Sequence, residues 1–239
     1  MPEPVRALPI GGTIASIRRI DHAARDESMY LPEDFAETRP EELHRIIREH
    51  PLGLLVTHPC SGLDANHLPF ELDPDRGPHG TLQAHIARAN PLSTEIPDGA
   101  EVLVIFTGPQ GYVSPSWYPS KHETHRSVPT WNYEVVHAHG RLRLIDEASF
   151  VGGLVARLTH RNEAAEPRPW KMADAPREYI DGMLKMVVGL RIEITRISGK
   201  RKLSQNREAR DVDGVVSALT ERRQDALASA VARASRRPR

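Results

Sequence analysis

The stretch VGLRIEIT, from Val188 to Thr195, alternates apolar and polar side chains. Val188, Leu190, Ile192 and Ile194 fall on one side of an extended chain, and charged or polar residues fall on the other. A hydrophobic period of two is the pattern of a half-buried β-strand. The segment therefore predicts a strand that buries one face in a core and leaves the other polar.

Five more segments carry strand patterns, and four carry helical ones. The other predicted strands are Leu52–Thr57, Ala65–Leu72, Gly80–Ile86, Glu101–Gly108 and Trp131–Ile145. The predicted helices run from Pro40 to about His50, with a capping box at Thr38 and Glu41, and over Asp146–Thr159, Pro176–Lys185 and Val212–Arg236. Six strands with little helix between them predict an antiparallel barrel. The predicted fold class is mainly β with peripheral helices (α+β), ending in a C-terminal helix.

Aromatic residues concentrate in GPQGYVSPSWYPSKHETHRSVPTWNY, from Gly108 to Tyr133. Prolines at 115, 119 and 129 interrupt this stretch, and proline removes a backbone donor and fixes the local dihedral angle. The pattern therefore predicts an ordered loop system. Its rings suit a flat ligand or a partner surface, and a small core packed under a long loop is the alternative.

Charge and composition exclude several classes of protein. The 239 residues carry 32 Lys and Arg against 32 Asp and Glu, so the basic excess of a protein that grips DNA phosphates is missing. The single cysteine, Cys60, cannot form an intramolecular disulfide and fits a reducing compartment. The sequence shows no apolar run typical of a secretory or membrane-spanning segment. These features predict a cytoplasmic protein without membrane contact.

Nucleotide and metal motifs are missing from the sequence. It contains no GxGxxG, no P-loop, no HExxH and no paired CxxC. His137 and His139 would share a strand face, as a two-histidine ligand pair does, but no third ligand stands at a convincing spacing. We predict no metal site.

The composition and the predicted strands divide the chain into three parts. Residues 1–28 are rich in proline and arginine and predict a flexible extension. Residues 29–206 hold the predicted strands and form the barrel domain, and residues 207–239 form a C-terminal helix with a basic tip.

Two strings suit an anionic ligand. HIARANP, from His85 to Pro91, places Arg88 where a helix could start, and a helix start with a guanidinium can bind phosphate. A surface ion pair is the alternative for Arg88. KRKLSQN, from Lys200 to Asn206, combines cations with amide groups, and a solvated strand exit is its alternative.

The strings ARANP, FTGPQGYVSPSWY, VPTWNY and KLSQN occur in that order, with MYLPEDF before them. Together they resemble the PaiB family of FMN-binding negative transcriptional regulators. The resemblance covers Met29 to Asn206. It implies an FMN-binding split β-barrel related to the pyridoxamine phosphate oxidase flavoproteins. It also implies a homodimer in which residues of both chains hold each FMN.

The resemblance assigns cofactor contacts residue by residue. Arg88 and Asn90 are implied for phosphate and ribityl contacts, beside His85. The residues implied to lie beside the flavin ring are Asn66, His67 and Leu68. Those implied to close the site are Lys202, Gln205 and Asn206, and those implied for an aromatic wall or dimer seam are Trp117, Trp131 and Tyr133. The segment PSKHETHRS, residues 119–127, is longer than the family's connection and is expected to be a mobile loop.

Three functions remain open at this point. The first is an FMN-binding negative regulator of transcription. The second is an FMN-dependent oxidoreductase, for which His67, His85 and His137 are candidate acid or base groups. A barrel that has lost its ligand and serves as an interaction module is the third. The sequence shows no helix-turn-helix, so any DNA contact is expected at Lys200–Lys202 and at Arg236–Arg239.

Overall fold

Antiparallel strands and short helices alternate along residues 29–235, the part of the chain described by the computed structural model. The strands are β1 (Ala36–Glu37), β2 (Leu52–Thr57), β3 (Asp64–Pro69), β4 (Glu71–Asp73), β5 (Thr81–Ala87), β6 (Ala100–Val113), β7 (Thr130–Ile145) and β8 (Val187–Lys202). The helices are α1 (Pro40–Glu49), α2 (Leu92–Glu95), α3 (Pro119–Thr124), α4 (Ala148–Glu163), α5 (Arg177–Lys185), α6 (Ala209–Glu221) and α7 (Asp225–Ser235). Short 3-10 turns precede β1, α3 and α5. The six predicted strands are confirmed, with longer bounds for β6 and β8.

The sheet curls into a split barrel. Its strand order is β3-β2-β6-β7-β8-β5-β4, and β1 pairs with β8 beside this path. Strands β3 and β4 are one predicted strand interrupted at Phe70, whose amide donates to the Pro51 carbonyl at 2.8 Å. Because β3 pairs with β2 and β4 pairs with β5, this interrupted segment links the two ends of the sheet. The predicted barrel is confirmed.

One face of the strands fills the barrel. Leu190, Ile192 and Ile194 of β8 are fully buried, as the alternation of the sequence predicts, and they pack with the inward residues of β5, β6 and β7. Phe70 meets Phe106 edge to face, with ring centroids 5.7 Å apart. The core thus follows from the period-two pattern.

A bulge separates the two halves of the β7–β8 pair. His139 lies opposite Arg196 and Gly140 lies opposite Ile194, so Thr195 is an extra residue on β8. A side chain at position 140 would collide with the Glu193 carbonyl, which explains the glycine. Beyond the bulge, β7 and β8 project toward α1 and the C-terminal helices.

Helix α1 closes one end of the barrel. Leu43, Ile46 and Ile47 are its buried residues and join the barrel core. The predicted capping box is wrong, because Arg39 is the N-cap residue and makes no side-chain cap. The Glu37 carboxylate instead accepts from the Arg39 amide at 3.1 Å.

The C-terminal segment holds two helices where one was predicted over Val212–Arg236. The chain turns at Arg223, which adopts a left-handed φ of 57°, and α7 folds back beside α6. Both helices bury apolar residues in a second cluster with Val113, Tyr118 and Leu203. From Leu31 the chain groups as one compact unit, and the division at residue 206 stays a prediction. The predicted extension (1–28) and the tip Arg236–Arg239 lie outside the described residues.

The aromatic stretch is more regular than predicted. Tyr112 lies on β6, so the expected loop system begins later than predicted, whereas Trp131 and Tyr133 lie on β7, as the predicted strand Trp131–Ile145 requires. The expected mobile loop instead contains α3. Ser120 of α3 donates from its amide and its hydroxyl to the Asp211 carboxylate, at 3.0 and 2.6 Å. No helix within residues 29–235 is long and apolar enough to cross a membrane.

Candidate functional site

Three of the strings that carry the family resemblance meet at one cavity. Tyr118 comes from PSWY, Thr130 and Asn132 from VPTWNY, and Lys202 from KLSQN. The cavity has a volume of about 200 Å³. Its lining residues are Phe35, Tyr118, Val128, Pro129, Thr130, Asn132, Lys202, Ser204, Asn206 and Arg207. We call it the motif cavity.

KLSQN forms a tight turn that shapes one wall of this cavity. Ser204 adopts a left-handed φ of 64°. The Gln205 side chain accepts from the Leu203 amide at 2.7 Å and donates to the Arg201 carbonyl. Gln205, predicted as a cofactor contact, thus bonds to the backbone of its own turn, while Lys202 and Asn206 line the cavity.

Two polar atoms at the motif cavity are buried without a partner. The hydroxyl of Tyr118, a residue 1% exposed, has no hydrogen-bond partner among the described residues, and neither has Oδ1 of the fully buried Asn132. The Asn132 amide nitrogen donates to Ser204 Oγ at 2.9 Å, which fixes its orientation. Buried polar groups in proteins are normally paired, and these two are among seven buried side-chain atoms without a partner in residues 29–235.

Two cationic side chains line the same cavity. Lys202 Nζ donates to Thr130 Oγ1 at 2.5 Å, and the Arg207 guanidinium lies 5.0 Å from the centre of the Tyr118 ring. Among residues 29–235, no carboxylate lines the motif cavity. The cavity is therefore a positively charged site.

Arg201 faces the opposite side of β8 and pairs with buried carboxylates there, although its buried Nη2 has no hydrogen-bond partner among residues 29–235. It is 2% exposed; Nε donates to Glu134 at 2.5 Å, and Nη1 lies 3.3 Å from Glu37. Arg45 of α1 also reaches Glu134, at 3.3 Å. The expected DNA footprint at Lys200–Lys202 is therefore wrong for Arg201, because a buried guanidinium that is already paired cannot reach a phosphate.

Aromatic rings continue from the cavity end of β7 onto the outward face of the sheet. Trp131 is 49% exposed and donates to Gln110 Oε1 at 3.3 Å. Lys200 Nζ lies 5.8 Å from the centre of the Tyr133 ring. Trp117 meets Tyr112 edge to face at 6.4 Å. Tyr112 pairs with Trp131 across β6 and β7, so Trp117, Tyr112 and Trp131 are neighbours, and their role as a wall of the flavin site stays a prediction.

Arg88 lies at the other end of the barrel and is engaged by neighbouring groups. Its two terminal nitrogens pair with the Asp146 carboxylate at 2.9 and 2.5 Å. Nε donates to the Lys185 carbonyl at 2.9 Å, and Nη2 donates to the Val187 carbonyl at 3.2 Å. The ion pair with Asp146 raises the pKa of Arg88 and lowers the pKa of Asp146. This is the surface ion pair that the sequence left open as an alternative.

The other residues predicted to contact the cofactor at this end of the barrel lie on β3 and just before α2. Asn90 donates to Asn66 Oδ1 at 2.8 Å and accepts from the Leu92 amide, so it links β3 to the start of α2. Leu68 packs against the barrel core, whereas His67 is exposed. Helix α2 has four residues, too few for the phosphate-binding helix start that was predicted.

The predicted cofactor contacts thus form two groups. Arg88 bonds to Val187 at the beginning of β8, and Lys202 ends the same strand, fifteen residues later. At ~3.3 Å per residue, up to about 50 Å of a bulged strand lies between the two positions, so the two groups belong to opposite ends of β8.

Two of the candidate histidines are held neutral by burial. Burial lowers the pKa of His85, whose Nδ1 has no partner among the described residues. Burial and the nearby Arg196 lower the pKa of His137. No group of three or more metal-ligating side chains occurs within the described part of the chain.

Comparison with known proteins identifies the family. The family model described as "Putative FMN-binding domain" matches residues 29–196. The chain belongs to this FMN-binding family. The "Protease synthase and sporulation protein PAI 2" of Bacillus subtilis is 31% identical over 191 residues, covering 80% of this chain and 89% of the relative. The predicted PaiB resemblance is confirmed, and FMN is the cofactor that the family assigns.

Two further comparisons agree with this family. An uncharacterised protein of Aspergillus fumigatus is 34% identical over 235 residues, covering 79% of this chain and 89% of the relative. The FAD and haem binding protein of Mycobacterium smegmatis superposes with a TM-score of 0.51 at 19% identity, covering 70% of this chain and 73% of that one. The structural likeness shows the flavoprotein fold alone.

The residues of the site fit FMN. A flat isoalloxazine ring suits the ring of Trp131, which is 49% exposed, beside the half-buried Tyr133. A phosphate suits Lys202 and Arg207, which line a cavity without a carboxylate. These four residues would hold the cofactor.

Proposed function

We propose that this protein is an FMN-binding, PaiB-like negative regulator of transcription that acts as a homodimer, with each flavin held between two copies. The observation that carries the homodimer is a row of partly exposed apolar side chains on β2, β6 and β7 that leads to Tyr133. Arg88 and Lys202 lie at opposite ends of β8, and in this proposal different copies of the chain supply them to one flavin. The contact of Arg88 with phosphate stays a prediction, because Asp146 occupies its guanidinium.

An outward apolar face supports the homodimer. Leu54 on β2, Leu103 and Ile105 on β6 and Val135 on β7 point away from the barrel core and are partly exposed. Helix α1 packs with the core residues on the opposite face of these strands. Apolar side chains that remain exposed in neighbouring rows are typical of protein interfaces. This outward apolar face extends along β7 to Tyr133. A second copy of the chain that packs against it would therefore lie beside the predicted aromatic wall.

The role in transcription is supported by the Bacillus subtilis relative. The name of that protein refers to a protease synthase and to sporulation, and its similarity covers most of this chain. The balanced charge and the burial of Arg201 argue against a large DNA-binding surface within the described residues. We therefore propose that any DNA contact is indirect or limited to a few cations, and that the protein works in the cytoplasm.

An FMN-dependent oxidoreductase is the second candidate. When bound, FMN supplies hydride or single-electron transfer. His137 and His67 both point to the outward face. His137 pairs with Ile105, and His67 pairs with Leu54. Because burial lowers its pKa, His137 is neutral near pH 7 and can accept a proton there.

An interface variant tests the proposal. Ile105→Arg places a charge on the outward apolar face, and we expect it to turn the dimer into a monomer and to weaken FMN binding by at least about tenfold. The control is Leu63→Arg, which changes a side chain that is already 78% exposed in a loop. Sedimentation and flavin fluorescence quenching measure the two effects. A monomer that binds FMN with unchanged affinity would contradict a flavin site formed by two copies of the chain.

A gel-shift experiment then separates the two functions. Promoter fragments from the organism's own protease and stress genes, titrated with and without FMN at several salt concentrations, test repression. A nicotinamide-dependent reduction of FMN without any DNA shift would favour the oxidoreductase.

A further inference from the structure

Four arginine side chains line a second cavity, on the outward face of the sheet near the starts of β5 and β6. The cavity has a volume of about 420 Å³ and is bounded by the loops before β5 and β6 and by the outward faces of β7 and β8. The arginines that line it, together with Thr81 and Glu193, are Arg76, Arg141, Arg143 and Arg191. We call it the arginine pocket.

The register of β7 and β8 places like charges opposite each other in this pocket. Arg143 pairs with Arg191 across the two strands, on the face that points away from the barrel core. Like charges directly opposite each other on neighbouring strands are destabilising. Burial lowers the pKa of Arg191, and the nearby charges of Arg76 and Arg143 also lower it, while Glu147 acts in the opposite direction. The three guanidinium groups therefore form one electrostatic site.

The carboxylates of the described chain do not neutralise this group. None of their oxygens lies within 4.0 Å of a side-chain nitrogen of Arg76, Arg143 or Arg191. Five arginines elsewhere in the fold each have a carboxylate oxygen at 2.5 to 2.8 Å, namely Arg45, Arg88, Arg157, Arg201 and Arg210. The three arginines of the pocket therefore keep their capacity to bind an anion.

Neighbouring groups restrict the arginine pocket before any ligand binds. The Arg191 guanidinium lies 4.9 Å from the centre of the Phe150 ring, which α4 contributes. The Thr81 hydroxyl donates to the Arg76 carbonyl at 2.8 Å, so it ties the loop before β5 to the start of that strand. Arg143 lies within the paired part of β7. A site whose groups are already held loses less conformational freedom on binding.

The charge and the size of the arginine pocket limit its ligand. Four arginines and one carboxylate, that of Glu193, give the lining a formal excess of three positive charges within the described residues. Arg141 is partly engaged outside the pocket, because its Nη2 lies 3.5 Å from the exposed Glu101. A guanidinium binds phosphate oxygens with two parallel hydrogen bonds. The volume of about 420 Å³ falls within the ~300–1,000 Å³ of pockets that hold small organic ligands. A ligand with two or more linked phosphate groups supplies both the charge and the size.

We propose that the arginine pocket binds a ligand with linked phosphate groups, either inorganic pyrophosphate or a nucleoside diphosphate or triphosphate. None of the residues predicted to contact FMN lines this pocket. Thr81 begins β5 and lines the pocket, whereas Arg88 follows the end of the same strand. The site is therefore separate from the predicted flavin contacts and does not depend on them.

Matched arginine substitutions test the pocket on the full chain. Arg143→Gln and Arg191→Gln each remove one cation and relieve the cross-strand pair of like charges, so we expect the fold to be retained. The control is Arg48→Gln, which changes an exposed arginine on α1 outside the pocket. Isothermal titration at constant ionic strength uses pyrophosphate, adenosine diphosphate and adenosine, which lacks phosphate. Each titration is run without FMN and again with FMN, and the FMN affinity of each variant is measured separately.

We expect pyrophosphate and adenosine diphosphate to bind wild type and the control alike. Each pocket variant should bind them at least about tenfold more weakly, because a charge-assisted contact is lost. Adenosine is expected not to bind. Tighter binding of adenosine diphosphate than of pyrophosphate identifies a nucleotide as the ligand, and equal affinities identify the linked phosphates alone.

The proposal is overturned if wild type binds neither phosphate compound, or if the pocket variants match Arg48→Gln. An FMN affinity that falls in the variants by the same factor also contradicts it, since the arginines would then belong to the flavin site. Binding of a short DNA duplex that both variants weaken, without binding of pyrophosphate, would assign the arginines to nucleic acid instead. The titrations without FMN stay informative even if the protein does not bind flavin, so failure of this proposal and failure of the proposed function can be told apart.

Discussion

The sequence offered Arg88 for phosphate and the KRKLSQN string for an anionic ligand, and the fold places the cations of these two strings in different surroundings. Arg88 donates to a carboxylate and to two backbone carbonyls. Lys202 and Arg207 have no carboxylate at the cavity that they line. A cation in a motif is thus available to a ligand only where the fold has not already neutralised it.

The same contrast exists between two consecutive residues. Arg201 is buried among Glu37, Glu42 and Glu134, while Lys202 lines the motif cavity. A strand sends alternate side chains to opposite faces, so one step along β8 separates a structural cation from one that a ligand can use. The predictions below test this division.

Replacing Arg201 has the largest expected effect. Arg201→Met leaves Glu134 buried without its nearest cation and takes from Glu37 one of its two arginine partners, and removing one member of a buried ion pair costs about 3–5 kcal/mol. We expect the free energy of unfolding, from urea titration followed by circular dichroism, to fall by that amount. The matched variant Lys202→Met should change it by less than about 1 kcal/mol. Equal losses in the two variants would remove the distinction between structural and ligand-binding cations.

A carboxylate placed in the motif cavity should imitate its ligand. Asn132→Asp puts a negative charge beside Lys202 and Arg207, and the new carboxylate can accept from the Ser204 hydroxyl. We expect phosphate binding to weaken at least about tenfold, because an internal anion already occupies the positive field. Melting temperature is expected to be unchanged or higher. Phosphate binding that matches wild type would contradict a phosphate site at the motif cavity.

Arg88 offers the opposite test. Because its guanidinium is engaged by Asp146, we expect Arg88→Ala to lower the melting temperature slightly and to leave the preference for FMN over riboflavin unchanged. Asp146→Ala, which frees the guanidinium, is the companion variant. A preference for FMN that falls about tenfold in Arg88→Ala would restore the phosphate contact implied by the family resemblance.

The smallest expected effect concerns the buried histidines. Burial lowers the pKa of His85 and His137 below the ordinary value of 6.5, so the unfolded state binds protons before the folded state does. Stability is therefore complete above about pH 6.5 and decreases as the pH falls below it. Urea midpoints measured at pH 7.5 and 5.5 should show this decrease, and His85→Gln should reduce it. A pH dependence that His85→Gln leaves intact would assign the effect to other groups.

The strands could be predicted from sequence because each core residue repeats at a period of two. The link through Phe70 and the bulge at Thr195 could not, since both depend on which strands pair across the barrel. Helix α3 was missed because its stability comes from Asp211 and Arg210 of a distant helix. The turn at Arg223 could not be predicted, because neither glycine nor proline marks it in the sequence.

The sequence motifs that form the site could be predicted, but the roles of the individual residues could be predicted only in part. VPTWNY and KLSQN do meet, as the resemblance implied. The burial of the Tyr118 hydroxyl and of Asn132 Oδ1 without partners could not be predicted, because an unpartnered atom is visible only in the folded chain. The buried state of Arg201 was missed for a similar reason: its partners Glu37 and Glu134 lie far from it in sequence.

Sedimentation velocity detected at the visible absorption band of the flavin tests the central claim most directly, namely that FMN is held between two copies of the chain. Full-length protein is mixed with FMN at concentrations on both sides of the dimer dissociation constant. The account predicts that the flavin sediments only with the dimer, and that dilution to monomer releases it. Flavin that travels with the monomer at undiminished occupancy would contradict the account.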